Sequence, residues 1–206
     1  MEDSRSARKR RAIVEAARQV FLRSGYAGAS MDEVASLASV SKQTVYKHFA
    51  DKERLFTGIV LGDIEQTRAR AREAVEALPD NGDVAAHLRE IARLMITTLM
   101  APHLVRQRRM IIGAADRFPE VARAWRESSP ERVFAARFEA LAGLLEITDA
   151  CLAAQHLTSL VLSSPMNRAM FTPGDEPFPK AELERFADEA VRVFLAAYGP
   201  KREGNP

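Results

Sequence analysis

At 206 residues, 47% hydrophobic and 28% charged, the chain is long enough to bury one good core and a small second one. The single cysteine, Cys151, excludes an internal disulfide and fits a reducing cytoplasm; no run of eighteen apolar residues is present to span a membrane. The net charge of +2 is unevenly placed, because residues 1–56 hold eleven Lys and Arg against seven Asp and Glu, a balance of +4 that leaves −2 for the remainder.

The first expected element is an amphipathic helix over about Arg8 to Ser24, with Ile13, Ala16, Ala17, Val20 and Phe21 on its buried face. Gly25 ends it, and Tyr26-Ala27-Gly28-Ala29 forms a turn. Ahead of it stand Arg5, Arg8, Lys9, Arg10 and Arg11, either a solvated, frayed terminus or an arm that grips phosphate. The basic start is not a secretion signal, since Glu15 and Arg18 interrupt any apolar run behind it.

Ser30-Met31-Asp32-Glu33 has the form of a capping box, in which the Ser30 hydroxyl and the Glu33 carboxylate satisfy helix-start amides reciprocally. A short helix therefore starts near Met31, with Val34, Leu37 and Ala38 on one stripe. After the turn Ser39-Val40-Ser41 a second stripe appears at Val45 and Phe49, with Ser41 as N-cap, and Asp51 caps a further helix from Lys52. The other face of the second helix carries Lys42, Gln43, Thr44, Tyr46, Lys47 and His48, all able to hydrogen-bond. Such a face suits the major groove, where base edges offer donors and acceptors between two rows of phosphates. Taken alone, the stretch is equally compatible with an ordinary helical hairpin whose outer face is polar.

From Lys52 a long helix is expected to run to Leu78, on the order of 40 Å, until Pro79-Asp80-Asn81-Gly82 breaks it. Gly58 and Gly62 share one face of it, where a neighbour could approach closely or the rod could soften. Further helices are predicted over about Asp83–Met100, His103–Ala115, Pro119–Trp125, Ser129–Glu146, Ile147–Ser163 and Lys180–Tyr198. The last two are apolar around much of their circumference and call for two partners each, one of them possible in a second copy of the chain.

The ordered pattern of a basic helix with Phe21 near its end, then Gly25-Tyr26, Ser30-Met31-Asp32-Glu33-Val34-Ala35, Val40 through Phe49, and Asp51-Lys52-Glu53-Arg54-Leu55-Phe56 resembles the TetR family of bacterial transcriptional regulators. The likeness covers about the first quarter of the chain and is specific by its length. It implies an all-α fold with a helix-turn-helix head at residues 1–54 and a helical effector-binding and dimerisation domain at 55–206. It assigns DNA contacts to Ser30, Lys42, Gln43, Thr44, Tyr46, Lys47, His48 and Lys52. Thr44, Tyr46, His48 and Lys52 would hold phosphates, and Lys42, Gln43 and Lys47 would read bases. One position departs from the pattern, because the turn slot before Val40 usually holds Gly and is Ser39 here. If that residue takes positive φ, serine costs about 1 kcal/mol, which leaves the likeness intact.

The same resemblance implies a homodimer through the last two helices on a palindromic operator, working in the bacterial cytoplasm on the nucleoid. The segment from Arg108 through Pro119 to Trp125 is similar to the ligand domain of AefR-like members. Met95, Leu99, Met110, Trp125, Phe134, Phe138 and His156 are candidates to line a pocket for a small lipophilic effector, although core packing is the commoner role for any one of them, His156 among its apolar neighbours included.

Enzyme chemistry finds little support. His48, His87, His103 and His156 are scattered without H-x-x-x-H spacing, and neither a phosphate-cradling G-x-x-x-x-G-K-[ST] loop nor a G-x-S-x-G elbow occurs. No catalytic residue, metal or cofactor is expected. A protein that coats DNA without sequence choice would carry a larger positive excess. The expectation is a DNA-binding transcriptional regulator, a ligand-released repressor first and an activator or ligand-independent regulator as the alternative.

Overall fold

The computed structural model describes residues 2–77, 83–128, 145–172 and 178–199, and all regular structure among the described residues is helical, as expected. The helices are α1 (Glu2–Gly28), α2 (Met31–Leu37), α3 (Lys42–His48), α4 (Lys52–Glu76), α5 (Val84–Leu99), α6 (Pro102–Ala114), α7 (Pro119–Glu127), α8 (Ala150–Phe171) and α9 (Lys180–Tyr198). The helix expected over 129–146 lies, with Phe134 and Phe138, outside the described residues except for its last two, as does the break at 79–82. No described helix is long and apolar enough to cross a membrane.

The chain divides into two compact units, Met1–Gln66 with Arg106–Glu127, and Thr67–Val105 with Ser128–Pro206. This differs from the expected division after residue 54. The first unit's core continues from Ile13, Val20, Phe21, Val34 and Val45 into Leu55, Phe56, Val60 and Ile64 of α4, and takes in Ile111, Phe118 and Val121. The physical reason is scale: some fifty residues bury too little apolar surface alone, and the head completes its core with the first half of α4 and with the α6–α7 segment. Phe118 is the pivotal addition. Its ring centroid lies 4.7 Å from Tyr26 and 4.9 Å from Phe56, and Phe56 in turn meets Phe21 edge-on at 5.1 Å. Lys52 and Arg117 lie over the Tyr26 ring at 4.5 and 5.1 Å, and burial pushes the Tyr26 phenol pKa up.

Helix α1 starts six residues earlier than expected, so the basic run is helical and not frayed. It bends at Gly25 (φ 65°, ψ 178°), a left-handed conformation that costs glycine no Cβ clash. Arg18 donates to both carboxylate oxygens of Asp63, at 3.0 and 2.7 Å, fastening α1 to α4; this bond raises the Arg18 pKa. The α2–α3 turn passes through Ser39 at φ 52°, in line with the glycine usual at that slot. Gly58 and Gly62 do not mark a close helix contact, since a Cβ at either would meet nothing within 4 Å.

In the second unit α9 packs on both α5 and α8, burying Leu88, Ile91 and Ile96 against Leu157, Val161, Ala187, Val191 and Phe194. Asp83 and Asp149 cap α5 and α8 by accepting from amides in the first turn. Helix α8 does not stop near Ser163 but runs on through the buried Pro165 to Phe171. The missing amide costs one helical hydrogen bond, and burial of Met166 and Ala169 in the turn beyond it offsets that loss. Arg93 holds Asp188 with two bonds, at 2.8 and 2.7 Å, and keeps the Asp188 carboxyl below its usual pKa. Leu152, Leu160 and Val193 remain exposed on α8 and α9.

Phe118→Ala should cost about 3–5 kcal/mol in chemical unfolding, as removal of a buried aromatic does; a loss below about 1 kcal/mol would mean that the α6–α7 segment is not part of the head's core. Ser39→Gly should raise stability by about 1 kcal/mol, because glycine takes φ near 52° without strain, and a lower melting temperature would contradict that reading of the turn.

Candidate nucleic-acid interface

The candidate surface is assembled from three caps and one anchor. Ser30 Oγ accepts the Glu33 amide at 3.1 Å and starts α2. The reciprocal half of the expected capping box is replaced, however: the Glu33 carboxylate pairs with Arg23 of α1. A charged partner within reach outcompetes a backbone amide that water can also satisfy. Ser41 Oγ accepts the Thr44 amide at 3.2 Å and lies 2.8 Å from Thr44 Oγ1, fixing the start of α3. Asp51 Oδ1 accepts the Arg54 amide at 2.7 Å and starts α4. Val45 is the buried residue of α3, fully enclosed in the first unit's core. Lys42, Gln43, Tyr46 and Lys47 are thereby aimed outward.

Of the expected DNA contacts, Ser30, Lys42, Gln43, Tyr46 and Lys47 are exposed, while Thr44 and His48 are half-buried. The structure thus brings Lys42 through His48 onto one helix, with Ser30 at the head of its neighbour. Lys42 Nζ lies 2.7 Å from Asp32 Oδ1, and this bond raises its pKa. Both groups are well exposed, so the pair is weak and a phosphate or base acceptor can replace the carboxylate. Lys52 is placed differently. Its ammonium donates to the carbonyls of Tyr26 and Ala29, each at 2.9 Å, and so closes the turn after the Gly25 bend. The signal for this role was present in the sequence: a turn that leaves helix-end carbonyls open needs a donor nearby.

The expected effector residues fall in different places. Met95 is buried and Leu99 half-buried against the second unit's core, whereas Met110 and Trp125 pack against the first unit's core, with Arg108 lying 5.5 Å over the Trp125 ring. His156 is not enclosed by apolar neighbours as its sequence context suggested. It is exposed on α8, its Nδ1 2.5 Å from the Tyr198 hydroxyl, because the inward face of α8 is set by Ala153, Ala154, Leu157 and Val161. Sequence reasoning missed His87 and Thr158, both buried in the second unit, whose Nδ1 and Oγ1 make no hydrogen bond. The spacing of His87 with Ile91 and Met95, four residues apart each, was the available signal. Among the described residues no group of three or more His, Cys, Asp or Glu is placed to hold a metal ion.

Comparisons with known proteins agree with this geometry. Residues 13–59 match the family described as bacterial regulatory proteins, tetR family, and residues 86–200 match the AefR-like transcriptional repressor, C-terminal domain. A TetR-family transcriptional regulator from Mesorhizobium loti MAFF303099, known from a crystal structure, is 45% identical at a TM-score of 0.85, covering 95% of this chain and 99% of that one. The flavonoid-responsive regulator FrrA is 29% identical at a TM-score of 0.72, over 95% of this chain and 100% of its own. The HTH-type transcriptional regulator UidR of Escherichia coli (strain K12) is 39% identical over 66 residues, 32% of this chain and 34% of UidR, so the match spans about a third of that curated relative. The chain belongs to the TetR family of bacterial transcriptional regulators, which bind DNA and are not enzymes.

Proposed function

We propose that the protein is a homodimeric, sequence-specific repressor that a small lipophilic molecule releases from a palindromic operator. The observation that carries this reading is the outward face of α3, where Lys42, Gln43, Tyr46 and Lys47 are exposed around the single buried anchor Val45. On two turns of helix that face presents donors and acceptors for base edges together with cations for phosphates. Repression is supported by the AefR-like repressor description that residues 86–200 match. Dimerisation through α8 and α9 is supported by the apolar Leu152, Leu160 and Val193, which remain exposed on these helices. A two-fold pair of α3 helices then reads two half-sites about one DNA turn apart. The site of action is the DNA of the bacterial cytoplasm.

An effector is supported by polar atoms enclosed in an apolar core. His87 Nδ1 and Thr158 Oγ1 each forgo a hydrogen bond, at a cost of about 1–3 kcal/mol apiece, and a ligand with hydrogen-bonding groups on a lipophilic frame would recover it. Met95, on the same face as His87, and Leu99 would supply apolar contact. FrrA's response to flavonoids, molecules of that description, makes them the first probes to try. Helix α4 is the element through which binding would act, because its residues to Gln66 belong to the first unit and those from Thr67 onward to the second. A ligand can change operator affinity this way only by binding one separation of the reading helices more tightly than the other.

Tyr46→Ala or Lys47→Ala should weaken operator binding by about 10-fold or more, in line with about 1–3 kcal/mol for each interaction with DNA removed, while sedimentation still shows a dimer. Unchanged affinity would remove α3 from the interface, and dissociation into monomers would contradict the separation of reading from assembly.

A further inference from the structure

The basic run at the start of α1 faces solvent. Arg5, Arg8, Lys9, Arg10 and Arg11 are all exposed, and among the described residues none of them pairs with a carboxylate. The later cations of the same helix behave otherwise, since Arg18 is held by Glu15 and Asp63, and Arg23 by Glu33. The run is also unfavourable for the helix that carries it. Arg5 stands three and four residues from Arg8 and Lys9, so like charges repel along one stripe, and Arg5, in the first turn, also opposes the positive end of the helix dipole. A helix that tolerates these costs at an exposed end is suited to an anionic partner.

The position of Arg10 says which partner. Its guanidinium lies 5.2 Å over the ring of Phe49, the C-cap residue of α3, and the last turn of α3 contributes Lys47 and His48. The third turn of α1 therefore abuts the end of the reading helix, and its cations extend that helix's basic surface. We infer that Arg5, Arg8, Lys9, Arg10 and Arg11 form a second DNA-facing surface of the head, which grips the phosphodiester backbone beside the groove that α3 enters. The inference rests on the assignment of α3 as the reading helix. Being helical and stacked on α3, this surface is pre-positioned and adds affinity without base discrimination.

The test measures binding of the full-length protein to operator and to random duplex across a salt series. Substituting Arg5, Arg8, Lys9 and Arg11 together by Ala, the best helix former, keeps α1 intact. Affinity should then fall by the same factor, at least about 10-fold, on both DNAs, and the slope of log K against log salt should flatten by about 0.9 for each phosphate no longer neutralised. The all-Lys version of the same set should restore the slope. Lys47→Ala serves as the reference. If it weakens operator binding while the α1 variant changes neither affinity nor slope, this inference is overturned and the α3 assignment stands; if Lys47→Ala has no effect, the α3 assignment itself fails. Loss on the operator alone, with an unchanged salt slope, would make these residues base readers and also overturn the proposal.

Discussion

Helix α3 spans seven residues, about two turns, and a helix of that length does not persist in water on its own. Its direction is imposed by Val45, which is sunk in the first unit's core, and by the caps that Ser41 and Phe49 provide at its two ends. That core is in turn held by the rings of Phe21, Tyr26, Phe56 and Phe118. The geometry of the polar face of α3 therefore depends on the buried side chains behind it. Lys52 belongs to the same support: its bonds to the Tyr26 and Ala29 carbonyls lock the bend between α1 and α2.

The packing of Phe118 changes how the head is delimited. The α6–α7 segment, whose sequence resembles an effector domain, folds as part of the unit that carries α3. Arg117 reinforces this by pairing with Glu53 at the start of α4 and lying over the Tyr26 ring. The chain crosses from one unit to the other three times, within α4, within α6 and at the end of α7.

Local features were the legible ones. Ser30, Ser41, Asp51 and Asp83 announce helix starts because capping depends on residues within one turn, and the bend at Gly25 follows from turn chemistry of the same range. What the sequence left open was long-range. Nothing near Phe118 in sequence says that its ring will meet Tyr26, ninety-two positions away, and nothing near His156 says that α8 will turn it outward. The end of α8 is hidden for the same reason: the local cost of Pro165 points to a stop near Ser163, whereas burial of Met166 and Ala169 decides the matter.

The confined positive charge also separates two kinds of DNA binding. A charge of +4 over residues 1–56 attracts any duplex, while the exposed Gln43, Tyr46 and Lys47 face can discriminate among sequences. The most direct measurement is the affinity of the intact protein for a palindrome taken from the DNA flanking its own reading frame, against a random duplex of equal length and salt. A regulator reading through α3 should prefer the palindrome by about 10³-fold or more. Equal affinities would contradict the account and leave only attraction to the backbone.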